Sequence, residues 1–210
     1  MDQTDEEQIQ ALRDWWRNNG RAIVFGVGLA VAGLSGWWGY GQWQEGQARD
    51  ATVAYGQFLQ AERSGTDLHE VARTARQVMD EHSGSGYAAM AALRLAARQM
   101  EHGEHIAAAE ALGWVVENSG DTALVELARL RQARALAAAG REDEALALVS
   151  VPVSPGFAGA YADLRGDLLY NMGRSSAAVE AYREALQADR LSSQARRFIE
   201  LKLGNLDEGA

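Results

Sequence analysis

The densest group of chemically versatile side chains is the pentapeptide Glu101-His102-Gly103-Glu104-His105, which offers two imidazoles and two carboxylates. A metal ion would need three or four of these groups to converge on one point, and a turn containing glycine could bring them together. Histidine and glutamate are also common on the exposed ends of helices, and this second interpretation is favoured. The sequence therefore predicts solvated turn residues here and no bound metal.

Other recognisable catalytic machinery is missing from the sequence. There is no G-x4-G-K-[S/T] phosphate loop, no H-E-x2-H zinc motif and no G-x-S-x-G nucleophile elbow. The absence of cysteine excludes disulfides, thiolate metal sites and a cysteine nucleophile. With 20 basic and 29 acidic residues, the net charge of −9 argues against binding to nucleic acid. We predict a protein that is not an enzyme, uses no cofactor and binds no nucleic acid.

Clustered arginines give better support for a binding role. Guanidinium groups bind carboxylates and backbone carbonyls, and those on the first helices of two successive predicted helix pairs could hold a bound chain in a groove. They could equally pair with acidic neighbours on a solvated helix face, where such pairs contribute little. The candidate groove residues are Arg94, Arg98, Arg129, Arg131 and Arg134.

The elements that would position these arginines are helices. From Glu45 onward, apolar residues recur at spacings of three and four, as over Leu93 to Met100, and no segment alternates convincingly as a strand does. Short turns rich in glycine or serine separate the helical segments, and one longer break runs from Pro152 to Gly156. This pattern predicts consecutive helical hairpins.

One segment, Tyr161 to Asp189, resembles a tetratricopeptide repeat. Glycine and alanine would allow close contact within its helix pair, and Tyr182 would fill the gap toward the next pair. Ala162 and Arg165 depart from the usual pattern, which has a large aromatic residue and a leucine there. The signature positions are Gly166, Gly173, Ala178, Tyr182 and Ala185.

Further glycines indicate that this unit is repeated. Gly140 precedes Gly173 by 33 residues, Gly103 precedes Gly140 by 37, and Gly65 precedes Gly103 by 38. Spacings close to 34 are typical of degenerate helix-turn-helix repeats. Ordinary C-capping of unrelated helices is the alternative, and it would still give an all-α domain.

A capping helix is expected after the last repeat, because a stack of repeats otherwise exposes its end. Ser192 and Ser193 are suited to begin it, and Gly204 to end it after Leu203. The residues available to cover the end of the stack are Phe198, Ile199 and Leu201.

The N-terminal part carries a different signal, an uncharged stretch of 23 residues from Ala22 to Gln44. As a helix it would measure about 33 Å, which is enough to cross a hydrocarbon core of about 30 Å. Trp15 and Trp16 precede the stretch, and Trp37, Trp38 and Trp43 lie near its end, as expected at two membrane interfaces. A cleaved signal peptide fits less well, because the preceding segment has five acidic residues, and a buried soluble helix is the other alternative.

The predicted organisation is a cytoplasmic segment (residues 1–21), a transmembrane helix (22–43) and a periplasmic repeat domain (44–210). The orientation depends on three arginines before the stretch against two shortly after it. Within the stretch, Gly28, Ala32 and Gly36 recur every four residues, a spacing that favours contact with another membrane helix. The alternative interpretation is that these residues make no such contact, because membrane helices are generally rich in glycine and alanine. The fold class is thus all-α, a single N-terminal transmembrane helix followed by a solenoid of tetratricopeptide-repeat-like helical hairpins.

The combination of an acidic N-terminal segment, one tryptophan-rich span and helical repeats resembles the YfgM family of ancillary SecYEG translocon subunits. The most specific part is the segment Glu6 to Trp16, EEQIQALRDWW, which leads into the span. The resemblance implies a bacterial inner-membrane protein with a periplasmic repeat domain. It also implies partners: the SecYEG translocon, the periplasmic chaperone PpiD and secreted polypeptides.

Two functional hypotheses follow. In the first, the protein is a membrane-anchored interaction module that links polypeptides emerging from the Sec translocon to periplasmic chaperones. In the second, it is a structural scaffold or assembly factor for another cell-envelope complex. Exposed apolar surface in the groove would favour the first hypothesis, and a polar groove marked by arginine would favour the second.

Overall fold

The structure is a computed structural model that describes residues 3–65 and 67–207. Within these residues all of the regular secondary structure is helical and there is no strand, which confirms the predicted all-α class. The helices are α1 (Gln3–Arg63), α2 (Leu68–Glu81), α3 (Gly86–Glu101), α4 (His105–Asn118), α5 (Thr122–Ala138), α6 (Glu142–Leu148), α7 (Ala158–Asn171), α8 (Ser175–Gln187) and α9 (Ser193–Asp207).

The chain divides into two compact units, residues 1–50 and residues 51–210. In the first unit the described large apolar side chains are exposed, among them Phe25 at 76% and Trp37 at 84%. Over the described residues, we find no helix with both the length and the apolar character needed to cross a membrane. The structure does not show the span expected at residues 22–43, which stays a prediction.

The second unit is organised by four tight turns, each built on a predicted turn glycine. Gly65, Gly103, Gly140 and Gly173 have positive φ angles of 64°, 77°, 75° and 73°, a conformation that side chains with a Cβ rarely adopt. At Gly173, the amide of the glycine donates to Tyr170 O and the next amide donates to Leu169 O. This pair of bonds satisfies carbonyls left open at the end of a helix. The structure thus confirms the turn positions that the glycine spacing predicted.

Among the described residues, side-chain hydrogen bonds cap the starts of α3, α5 and α9. Ser85 accepts a hydrogen bond from Ala88 N, Asp121 accepts from Ala123 N and Leu124 N, and the hydroxyl of Ser192 accepts from Ala195 N. These bonds satisfy amides that have no partner within the helix. The last of them agrees with the predicted start of the capping helix.

The end of the capping helix differs from the prediction. Gly204 does not end α9, which continues to Asp207, because Leu206 beyond it packs against the apolar core and stabilises another turn. Of the three residues expected to cover the end of the stack, only Ile199 is buried, whereas Phe198 and Leu201 are exposed.

Consecutive helices pack against each other from α2 to α9, and α5 also packs against α7. The interfaces are rich in small side chains: Ala75, Ala88, Ala108, Ala133 and Ala145 are fully buried. Because alanine lets helix axes approach closely, the stability of this core depends on close packing between helices as well as on the amount of apolar surface buried. Most of the buried residues form one cluster from Tyr55 to Leu168, and a second cluster joins α7, α8 and α9.

Candidate protein-binding surface

The helices that end at the four turn glycines, α1, α3, α5 and α7, are called first helices below, and α9 follows them at the end of the series. All five arginines selected from the sequence lie on two of these helices, α3 and α5. Hydrogen bonds and ion pairs join successive first helices. They determine which of those arginines are free to bind a partner.

Between α1 and α3 the link is an ion pair. Arg94 donates from Nε and Nη2 to one carboxylate oxygen of Glu62, at 2.9 and 2.5 Å. The Glu62 side chain is only 13% exposed, so the arginine compensates a partly desolvated charge. Nearby, the rings of Tyr55 and Tyr87 lie 5.3 Å apart and hold the same two helices together. Arg94 is therefore engaged within the protein.

Between α3 and α5 the structure has a cleft of about 280 Å³. Arg131 and Arg134 of α5 stand at this cleft and are both exposed. In the part of the chain that the structure describes, neither guanidinium has an ion pair or a side-chain hydrogen bond. The apolar lining comes from Leu93, Ala96, Ala97, Met100 and Leu112.

Between α5 and α7 a buried carboxylate organises the junction. Glu126 is 6% exposed, and it accepts hydrogen bonds from Ser154 N at 2.7 Å and Ser154 Oγ at 2.6 Å. Its backbone oxygen accepts a third bond, from the hydroxyl of Tyr161 at 2.7 Å. Burial raises the pKa of Tyr161, and the positive charge of Arg129 opposes that change. Arg129 thus belongs to an internal polar cluster.

Between α7 and α9 the link is Lys202, the single lysine of the chain. Its ammonium lies 2.7 Å from Asp163 Oδ1 and 2.6 Å from Asp167 Oδ1, and 5.4 Å from the ring centre of Tyr182. Burial alone would lower the pKa of Lys202, but the two carboxylates outweigh it and raise the pKa. The same carboxylate of Asp167 accepts a hydrogen bond from the hydroxyl of Tyr182. Burial first, and this bond second, raise the pKa of Tyr182 strongly.

The repeat-signature residues lie where α7 and α8 cross. Gly166 faces the ring of Tyr182 so closely that a Cβ on the glycine would lie 2.5 Å from Tyr182 Cδ1. Ala178 and Ala185 on α8 are fully buried, and Gly173 forms the turn between the two helices. Tyr182 therefore packs within its own helix pair and also reaches Lys202 on α9.

The five candidate arginines therefore have different environments. Arg94 and Arg129 are engaged with other helices, and Arg98 pairs with Glu101 one turn along α3 at 2.6 Å. The structure brings together only Arg131 and Arg134, on one cleft. Among the described side chains, the five arginines therefore do not form one continuous row of groups that are free to bind.

The remaining sequence candidates lie elsewhere. In the segment 101–105, His102 Nδ1 is 2.8 Å from Arg98 O at the end of α3. No group of three or more potential ligands is placed to hold a metal ion within the residues that the structure describes. Gly28 is exposed with open space around it. The surroundings of Ala32 and Gly36 lie outside the described part of the chain.

The sequence did not reveal two polar clusters, those around Glu126 and Lys202. Glu126 is a lone acid in a leucine-rich segment, and Lys202 is the single lysine of the chain. Each residue was therefore unusual enough in the sequence to be considered as a candidate. Asp163 and Asp167 also stand four residues apart, which places both carboxylates on one helix face. The partners of Glu126 and Lys202 are 28 to 39 residues away in sequence, so no local sequence pattern could identify them.

Comparison with known proteins agrees with this architecture. A family model described as a tetratricopeptide repeat-like domain matches residues 13–208. The chain is 28% identical, over 97% of both chains, to a protein from Escherichia coli named ancillary SecYEG translocon subunit. It is 29% identical to a protein of the same name from Haemophilus influenzae, over 96% of this chain and 97% of the relative. Another protein of that name, from Aggregatibacter actinomycetemcomitans, is 25% identical. The family resemblance seen in the sequence is confirmed.

Proposed function

The chain belongs to the tetratricopeptide repeat-like family, and on that basis we propose that it is a protein-interaction module that works beside the Sec translocon. The observation that carries the proposal is the match, over nearly all of both chains, to relatives named ancillary SecYEG translocon subunit. Stacked helical hairpins provide extended surface for a partner, which suits this role. The protein acts by binding and performs no chemistry of its own.

Within this role, the repeat domain links secreted polypeptides that emerge from the translocon to periplasmic chaperones such as PpiD. The cleft between α3 and α5 supports client binding because it combines apolar side chains with two unpaired arginines. An emerging chain offers both apolar side chains and charged groups to such a surface.

The first unit provides the membrane anchor, as a single span at residues 22–43 with the N-terminus in the cytoplasm. Its uncharged stretch is long enough for a span, and the exposure of Phe25, Leu29, Leu34 and Trp37 supports an apolar environment. Contact with another membrane helix would use Gly28, Ala32 and Gly36.

Site-specific crosslinking in native membranes tests the role at the translocon. A photoreactive residue at Arg131 is expected to crosslink to a translocon subunit, a chaperone or a secreted chain, and one at exposed Arg183 on α8 serves as the control. Crosslinks only to subunits of an unrelated envelope complex would instead favour the assembly-factor hypothesis.

The topology has its own experiment, which does not depend on the partner. Alkaline phosphatase fused to the C-terminus is expected to be active, because the enzyme requires the periplasm. An inactive fusion, together with an active cytoplasmic reporter at the same position, would reverse the proposed orientation.

A further inference from the structure

The junction between α3 and α5 differs from the other junctions between successive first helices. Polar side chains join α1 to α3 through Arg94, α5 to α7 through Tyr161, and α7 to α9 through Lys202. Between α3 and α5, the described residues have no side-chain hydrogen bond or ion pair, and a cleft takes its place.

The two arginines at this cleft are poorly compensated. Arg131 and Arg134 are three residues apart on α5, so their positive charges lie on the same helix face, and like charges at this spacing are unfavourable. Glu126 is the single acid of α5, and its carboxylate is already occupied by Ser154. An anion placed between the two guanidinium groups would therefore be stabilised by both.

The other wall of the cleft favours a ligand with an apolar part. Leu93, Ala97 and Met100 come from α3, and Leu112 comes from α4. At about 280 Å³ the cleft is smaller than most pockets for whole small molecules, which begin at about 300 Å³, and its size suits single side chains.

We propose that the cleft between α3 and α5 binds an extended peptide segment in which a carboxylate adjoins an apolar side chain. The carboxylate lies between Arg131 and Arg134, and the apolar side chain packs against Leu93, Ala97 and Met100. This inference deepens the proposed function and rests on it, because it names the chemistry of the polypeptide that the module receives. An inorganic anion would use the arginines but leave the apolar wall unused.

Peptide binding to the full-length chain in detergent tests the proposal. The probe is a short fluorescein-labelled peptide of alternating Glu and Leu, and binding is followed by fluorescence anisotropy. One comparison peptide replaces Glu by Gln, and another replaces Leu by Ser. The first removes the charge and the second removes the apolar contact, so both are expected to bind about tenfold more weakly.

Two double variants with the same change in net charge locate the site. Arg131→Gln with Arg134→Gln is expected to weaken binding of the Glu-Leu peptide by about tenfold or more. Arg183→Gln with Arg197→Gln, both at exposed positions of α8 and α9, is expected to leave it unchanged. Circular dichroism of each variant shows whether the helices remain folded.

Several results would overturn the proposal. They are equal binding by the Arg131/Arg134 double variant, equal binding of the Gln-Leu peptide, and no binding of any peptide. Binding of phosphatidylglycerol vesicles that depends on the two arginines, without peptide binding, would assign the cleft to a lipid headgroup. If translocon crosslinks persist while peptide binding fails, the cleft inference is wrong and the proposed function stands. If the wild-type chain forms no such crosslinks, the proposed function fails.

Discussion

The close approach of Gly166 to Tyr182 makes Gly166→Ala an informative substitution. The new Cβ would lie 2.5 Å from Tyr182 Cδ1 and 2.9 Å from Cζ, which is well inside ordinary contact. The ring cannot easily move away, because it is buried and its hydroxyl is bound to Asp167. Either the ring or the whole of α8 must shift.

Two opposing effects set the magnitude. Replacing glycine by alanine within a helix is worth about 1 kcal/mol in favour of the helix. Overpacking of a well-filled core costs about 1–3 kcal/mol, and a clash with an aromatic ring that is held in place lies at the upper end. We therefore expect Gly166→Ala to lower the free energy of unfolding by about 1–2 kcal/mol.

Gly113→Ala is the matched control. A Cβ at Gly113, which is also in the interior of a helix, would meet the amide end of Gln132 at 2.7 Å. That group sits at the end of a flexible side chain and can rotate away, so this substitution is expected to stabilise the protein by about 0.5–1 kcal/mol. The two variants should therefore change stability in opposite directions.

The assay is urea unfolding of the full chain, followed by far-ultraviolet circular dichroism, with and without Tyr182→Leu. Removing the ring should relieve the clash, so Gly166→Ala should become neutral or stabilising in that background. The coupling between the two sites is then about 1–3 kcal/mol. The reasoning is refuted if Gly166→Ala does not destabilise the wild type, or destabilises the Tyr182→Leu variant equally.

Three further predictions concern buried polar and apolar contacts. The folded-state pKa of Lys202 is raised, so its stabilisation is complete below about pH 10.4 and is lost at higher pH. Urea midpoints of the wild type and Lys202→Met should therefore converge above that pH, and a constant difference would contradict the ion-pair argument. Ala178→Glu places a charge at a fully buried position and should lower the free energy of unfolding in urea by several kcal/mol. The control Ser176→Glu changes an exposed position and should lower it little. A loss below about 1 kcal/mol for Ala178→Glu would refute the repeat packing. Glu126→Gln replaces one acceptor of the Ser154 bonds by a donor and should cost about 1–3 kcal/mol, with faster hydrogen exchange at the Ser154 amide; unchanged exchange would show that the carboxylate does not hold this segment.

Several features of the fold were predictable from the sequence because they are local. Helical periodicity and the need for a positive φ at Gly65, Gly103, Gly140 and Gly173 are each encoded within a few residues. The N-terminal cap at Ser192 is local in the same sense. For this reason the helices, their turns and the repeat family all followed from the pattern of residues.

The C-terminal end of α9 was not predictable in this way. Gly204 has the residue type of a helix terminator, but in the structure the helix passes through it because Leu206 finds apolar contacts beyond. Tertiary packing outweighed a weak local preference.

The sequence by itself determined that arginines recur on the first helices of successive helix pairs, and only the tertiary structure decided which of them are free. Arg94 is neutralised by Glu62, which is 32 residues away, whereas Arg131 and Arg134 face a cleft and have no such partner among the described residues. The outcome depends on the register in which one helix packs on the next. That register is set by the shapes of many small buried side chains together, so no single stretch of sequence contains it.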